Sequence, residues 1–372
     1  MSRRCAAVRE MMDGEGLDGL VVFGWSAIGR ALQGDVHYLS NYLGMRDNYV
    51  LLPLEGDPAL FVQSYNHVPN ASVVSTLDDV RWGGTDSGAT LAEEIVRRRL
   101  RSVGVVGWMP YQHHQSMRSG APEASFRDVT HSFRRLRVTK SEEELEWLRR
   151  GAAFTDAALA ALEGGLRPGI REYELAEVIE HAYLGDGGLT TFYYLSSTPM
   201  GAPERCVPAQ VLSARPIEAG DVVSTEISIA YGGYAGQGLR TFVVAAEPTP
   251  LIAELHEVAE EVYHRVAGAI RPGATQAQVW EAADLIGERG FTIRDDLVHG
   301  FGIGLLPPYV RTRQTTHQAE DWTFQAGQTV VIQPNVVTED ERAGVQTGDL
   351  CVVTDSGAHS LHRYPLRLVR TG

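Results

Sequence analysis

Glu226 and Gln333 occupy equivalent places in an internal repeat, which sets an acid and an amide where one pocket could use both. Each lies five residues past the polar residue of a turn, Gly220-Asp221 in one copy and Gly327-Gln328 in the other. Arg167-Pro-Gly169 recurs as Arg271-Pro-Gly273 at an offset of 104 residues, and Ala219-Gly-Asp-Val-Val223 recurs as Ala326-Gly-Gln-Thr-Val330 at 107. A repeat of that length is a duplicated half-domain rather than a solenoid unit. A two-fold axis through a shared sheet brings paired strands together, so both side chains are expected to point into one central pocket. A carboxylate there can move a proton, and an amide can both donate and accept.

The other chemistry-bearing residues narrow the field. Lys140 is the one lysine among 33 basic residues, so positive charge is almost all guanidinium, which suits carboxylate recognition. Cys5, Cys206 and Cys351 are far apart and lack the spacing of a zinc knuckle or a disulfide framework. A formal charge of −14 with no basic run argues against nucleic acid as a partner. Aromatic residues at 8% are ordinary and argue for no aromatic cofactor cage. The first ten residues lack an apolar signal region, and no apolar run approaches the roughly 18 residues of a membrane span. A soluble, cytoplasmic protein without membrane contact is the expectation.

Positioning these residues takes two domains, which 372 residues at 44% hydrophobic content can fill. Before residue 135, helical spacing covers Ala6 to Glu15 and Thr90 to Leu100. Strand-like runs fall at Leu20 to Phe23, Tyr49 to Leu54, Ala59 to Val62 and Val103 to Val106. That mixture predicts an α/β domain with a mixed sheet. Ser141-Glu-Glu-Glu144 is a capping box, and an apolar stripe follows it to Leu162. The boundary is placed at 135, giving domains 1–135 and 136–372. The repeat predicts helices over Glu172 to Tyr183 and Gln276 to Glu288, each ahead of a strand of the shared sheet.

In order and spacing, these motifs resemble the creatinase / aminopeptidase P / prolidase family. The resemblance rests on Gly19-Leu-Val-Val-Phe23, Tyr38-Leu-Ser-Asn-Tyr42, Leu136-Arg-Val-Thr-Lys-Ser-Glu-Glu-Glu144, Tyr234 through Arg240-Thr-Phe242, and Val298-His-Gly-Phe-Gly302. It implies an α/β creatinase-type N-terminal domain before an α+β pita-bread catalytic domain with pseudo-two-fold symmetry. It also implies a homodimer in which each N-terminal domain covers the partner's pocket. The family's metallopeptidases hold two divalent ions with two Asp, one His and two Glu. Carried over one at a time, those positions fall on Glu226, Gln237, Ile303, Gln333 and Gly348, the last just before Asp349. Divalent ions need charged oxygen or imidazole donors, and of the five only Glu226 is anionic. The expectation is a protein with no metal and no cofactor; a relocated site at Asp295, Asp296 or Asp349 is the alternative.

Among relatives, creatinase is similar in logic, since it too does without metal. Its substrate-carboxylate arginines match Arg46 and, within one residue, Arg311, whereas two guanidinium-binding carboxylates fall on Leu239 and Gln333, which makes creatine a poor fit. The expected enzyme is therefore a metal-independent hydrolase cutting a C–N bond of a small non-peptide carboxylate. Glu226 and His299 would share acid and base work, Gln237 and Gln333 would fix the substrate, and Arg46 and Arg311 would anchor its carboxylate. Tyr194, Glu204 and Gln210 are placed on a loop roofing the pocket, and Arg240 supports the fold. Alternatives are a metal-free lyase or cyclase, an Xaa-Pro metallopeptidase with a relocated site, and a non-catalytic peptide-binding module.

Overall fold

The computed structural model describes residues 2–26, 31–315 and 321–372. The chain falls into two compact units, residues 1–137 and 138–372. In the first, strands β1 (Gly19–Gly24), β2 (Asn48–Pro53), β3 (Ala59–Val62), β4 (Asp79–Trp82), β5 (Ser102–Val106) and β6 (Ser125–Asp128) line up as β4-β3-β2-β1-β5-β6. β2 runs antiparallel to β1 and β3, while the other neighbours are parallel, so the sheet is mixed as expected. Helices α1 (Ser2–Gly14), α2 (Gly34–Ser40), α3 (Val68–Val74), α4 (Ser87–Arg97), α5 (Tyr111–Gly120) and α6 (Thr130–Leu136) accompany it. β1 and β2 are buried throughout because both faces are covered. Leu20, Val22, Val50 and Leu52 enter one core, and Val21, Phe23, Tyr49 and Leu51 the other, following the two-residue alternation of a strand.

The second unit opens on α7 (Glu142–Gly165), whose capping box closes between Ser141 and Glu144. α8 (Leu175–His181), α9 (Pro250–Ala269), α10 (Gln276–Ala283) and α11 (Leu285–Glu288) follow. The strands are β7 (Leu189–Pro199), β8 (Asp221–Tyr231), β9 (Tyr234–Val244), β10 (Phe291–Ile293), β11 (Val298–Gly302), β12 (Gly304–Val310), β13 (Thr329–Ile332), β14 (Val336–Thr338), β15 (Gly348–Thr354), β16 (Gly357–Ser360) and β17 (Val369–Thr371). The main sheet runs β12-β11-β13-β15-β9-β8-β7, with β16 on β15 and β17 on β9. β9 and β15 meet at its centre, β8 and β13 flank them, and the two copies of the repeat are thus the two halves of one sheet. This is the pseudo-symmetric pita-bread architecture that the resemblance implies. Residues of α7 and α8 form one core with β8 and β9, and residues of α9 to α11 another with β13 and β15.

Two contacts fix this frame. Arg240 on β9 is 1% exposed and donates to the carbonyls of Leu239, Gly348, Tyr364 and Pro365, while pairing with Asp349 at 2.9 Å. It is the structural arginine expected. α7 approaches β9 through paired glycines. A Cβ on Gly236 would lie 2.3 Å from the Ala152 Cα, and one on Gly151 would lie 2.6 Å from the Tyr234 carbonyl oxygen. Gly236→Val should therefore cost about 2–3 kcal/mol by overpacking. Gly164→Ala, in α7 with nothing within 4 Å of its new methyl, should gain about 0.5–1 kcal/mol. Urea titration of both variants checks the pair; an unchanged midpoint for Gly236→Val would mean that α7 is not held at contact distance.

Candidate functional site

Strand register places the candidate residues in one row across the sheet. Tyr194 on β7 faces Glu226 on β8, Glu226 faces Leu239 on β9, and Leu239 faces Gly348 on β15. Ile332 pairs with Asp349, so Gln333, the next residue along, continues the row beside Gly348. Cross-strand partners share a face, and residues two apart on a strand share it too. Ser228 and Gln237, themselves a cross-strand pair, therefore stand on the same floor beside Glu226 and Leu239. Ile227 and Ile229 point the other way, into the core with α7 and α8.

On that floor the three expected polar side chains meet. The Gln237 amide Nε2 donates to Glu226 Oε1 at 2.7 Å and to Gln333 Oε1 at 3.2 Å. Gln333 Nε2 in turn donates to the Asp296 carbonyl at 3.0 Å. Gln333 thus reaches Glu226 only through Gln237. Both hydrogens of the Gln237 amide are used, and its buried Oε1 has no partner among the described residues. Burial, with the Asp295 charge adding to it, raises the Glu226 pKa to about 8, so the carboxyl carries a proton at neutral pH. Burial and the Glu226 charge likewise raise the Tyr194 pKa.

His299 on β11 is 4% exposed, and burial lowers its pKa, leaving a neutral imidazole. Its Nδ1 lies 3.2 Å from the Gly300 carbonyl, the bond that makes Nδ1 the protonated nitrogen, and the ring also hydrogen-bonds the Gln333 side chain. Arg311 pairs with Asp296 at 2.9 Å and remains half exposed, one carboxylate away from the Gln333 anchor. Arg46 belongs to the N-terminal unit, where φ of 61° turns it outward and the Ser26 carbonyl holds its backbone N–H. Tyr194 departs from expectation: it is a strand residue in the site row, not part of a loop, and it stacks on Phe192 with ring centroids 4.7 Å apart. Glu204 and Gln210 do lie between β7 and β8, both exposed. Sequence reasoning missed Ser228 and Asn335. Both are buried, with polar side-chain atoms unpartnered among the described residues; the two-residue spacing from Glu226 was the available signal for Ser228, whereas Asn335 lies in the turn after β13.

These residues do not fit a two-metal centre. Ile303 is a buried aliphatic between β11 and β12. At Gly348 a Cβ would fall 2.3 Å from the Ile332 carbonyl oxygen and 2.9 Å from the Gln333 Cα, so the backbone closes the place of the fifth ligand. Asp349, a candidate for a relocated site, is bound by Arg240 at 2.9 Å and Ser360 at 2.7 Å on the opposite parity of β15. Among the described residues no group of three or more His, Cys, Asp or Glu side chains is placed to hold a metal ion. Nor is any described helix long and apolar enough to cross a membrane.

Residues 146–355 match the model of metallopeptidase family M24, and residues 4–139 match the creatinase/prolidase N-terminal domain. A probable dipeptidase PepE of Mycobacterium tuberculosis is 32% identical over 249 residues, 65% of this chain and 63% of that protein. The match thus spans somewhat under two thirds of PepE. An Xaa-Pro dipeptidase of Pyrococcus furiosus is 24% identical over 97% of this chain and 98% of its own. The crystal structure of the prolidase from Pyrococcus horikoshii OT3 superimposes with a TM-score of 0.83, covering 99% of this chain and all of that one at 22% identity. These names overturn the expectation of a metal-independent hydrolase for non-peptide carboxylates, because the relatives are peptidases of a metallopeptidase family. The missing donors describe what this site lacks and carry no information about its substrate.

Proposed function

The chain belongs to metallopeptidase family M24, and from that membership we propose that it recognises short peptides with a free carboxylate, acting on their C–N amide bond. One observation carries the reading: the Gln237 amide bridges Glu226 and Gln333 on one face of the sheet, where burial raises the Glu226 pKa to about 8. A neutral carboxyl can donate to an amide carbonyl or supply a proton to the departing nitrogen. The unpartnered Gln237 Oε1 is free to accept from an amide N–H. His299, neutral with Nδ1 committed to Gly300, turns the rest of its ring to Gln333 and so helps to fix that amide. Arg311 anchors the peptide carboxylate, and Tyr194, Glu204 and Gln210 border the bound chain. Arg46 reaches the same carboxylate from the N-terminal unit of a second copy, so a homodimer is part of the proposal.

A panel of dipeptides, Xaa-Pro included, tests this by calorimetry and by mass detection of released amino acids, with and without added Mn²⁺. Saturable binding with release supports the proposal. Binding without release reduces it to recognition, the reading that the pocket's poor donor set for metal favours in second place. No binding by any member overturns it. Arg311→Ala should weaken binding by about tenfold or more through the lost bidentate contact, and leave peptide amides lacking the carboxylate unaffected.

A further inference from the structure

The N-terminal unit holds a cavity of about 330 Å³ of its own, lined by Phe23, Trp25, Leu32, Asp47, Trp108 and Arg134 among others. Its size falls at the small end of ligand pockets. Overall aromatic content is ordinary, but here it is concentrated. Trp25 is 44% and Trp108 73% exposed, so two indoles are left in water around one opening. Phe23, at the end of β1, supplies a buried aromatic wall backed by Tyr49 with ring centroids 5.1 Å apart.

The charges around this cavity are asymmetric. Arg134 is already committed: its guanidinium bonds Asp35 at 2.8 and 3.0 Å, and it lies 5.8 Å from the Trp108 ring centroid. Asp47 is half-buried just before β2, and its carboxylate has no hydrogen bond or ion pair among the described residues. Burial pushes its pKa up, against the pull of His113 and Arg46 nearby. A half-desolvated carboxylate beside aromatic faces is the combination that attracts an organic cation, since ring faces carry negative potential. A single carboxylate is too poor a donor set for a metal ion. An anion finds only a guanidinium that Asp35 already holds.

We propose that this cavity binds a small amine with an apolar body, its ammonium against Asp47 and its body against the indoles of Trp25 and Trp108. The site is built from residues of the N-terminal unit alone, and its Asp47 directly follows Arg46, which the peptide reading borrows from a second copy.

Titration of the full-length protein with phenethylamine and with its neutral counterpart 2-phenylethanol tests this, followed by calorimetry and tryptophan fluorescence. Phenethylamine should saturate and bind about tenfold tighter than the alcohol. Asp47→Asn should erase that ratio, and Trp108→Ala should weaken both probes by about tenfold. Equal affinity of the wild type for the two probes overturns the proposal without recourse to any variant. So does an unchanged ratio in Asp47→Asn, or no saturation by the amine. Sedimentation of Trp108→Ala adds a further outcome: a change in oligomeric state with no change in amine binding would make these indoles a contact between copies and overturn the ligand site.

Discussion

Replacing Glu226 by Gln should lower peptide turnover by at least about a hundredfold, the usual share of a proton-transfer group, while the protein still folds. Gln is close to isosteric with a protonated Glu and can keep the 2.7 Å partnership with Gln237 by presenting its carbonyl to Nε2. What it cannot do is release a proton. The same substitution has a signature in stability that a loss of activity does not share. With the folded-state pKa raised to about 8 against an ordinary carboxylate value, the folded protein holds a proton that the unfolded chain has lost. The stability that Glu226 contributes is therefore fully present below the ordinary carboxylate range and is lost as pH rises to about 8. Glu226→Gln removes that slope, so its unfolding temperature should match the wild type at pH 4 and exceed it at pH 9. Wild-type turnover should decline above about pH 8, as the donor form is lost. Full activity in the variant would remove Glu226 from proton transfer; parallel melting curves at both pH values would remove its buried, protonated state.

The floor that makes this possible was partly legible in the sequence, and the reasons differ residue by residue. The 107-residue offset linked Glu226 to Gln333 because duplicated strands keep their turns, and the turns carry readable Gly-Asp and Gly-Gln signals. The capping box at Ser141 and the strand Ala59–Val62 were legible because their determinants are local. Tyr194 was assigned to a loop because β7 carries a run of aromatic and small polar residues without clean alternation, and its burial pattern confirms a strand only half covered. Ser228 does not announce chemistry by its type, and only strand parity sets it on the floor; Asn335 lies in the turn between β13 and β14, where no parity rule applies. Gly348 could not be assessed from sequence at all, since its meaning is a distance to the backbone of another strand.

The functional error has a different origin. The five carried-over positions say which donors stand there, whereas the expected substrate rested on one metal-free relative alone. Missing ligands constrain how a bond is broken more than which molecule carries it. Substrate class depends on more than five positions, and the peptide proposal rests on peptidase relatives matching 65% and 97% of the chain.

Rebuilding those positions separates donor chemistry from fold. The combined variant Glu226→Asp, Gln237→Asp, Ile303→His and Gln333→Glu restores three carboxylates and an imidazole on elements already placed around one floor. After dialysis against Co²⁺ it should retain about one ion per chain, against background for the parent, with the visible absorption of a low-coordinate cobalt site. A second tightly held ion is not expected, because the remaining carboxylate belongs at Gly348. There the Ile332 carbonyl oxygen sits 2.3 Å from where a Cβ must go. Adding Gly348→Glu would push β13 away from β15 at the centre of the sheet, where their ladder pairs Ile332 with Asp349 and Arg240 bonds the Gly348 carbonyl. Such overpacking against backbone costs about 1–3 kcal/mol or more, so the five-fold variant should melt well below the four-fold one. Two ions per chain in the four-fold variant would refute the closed fifth position. No uptake above the parent would show that these side chains do not converge, and with that the shared floor on which the peptide proposal stands would be lost.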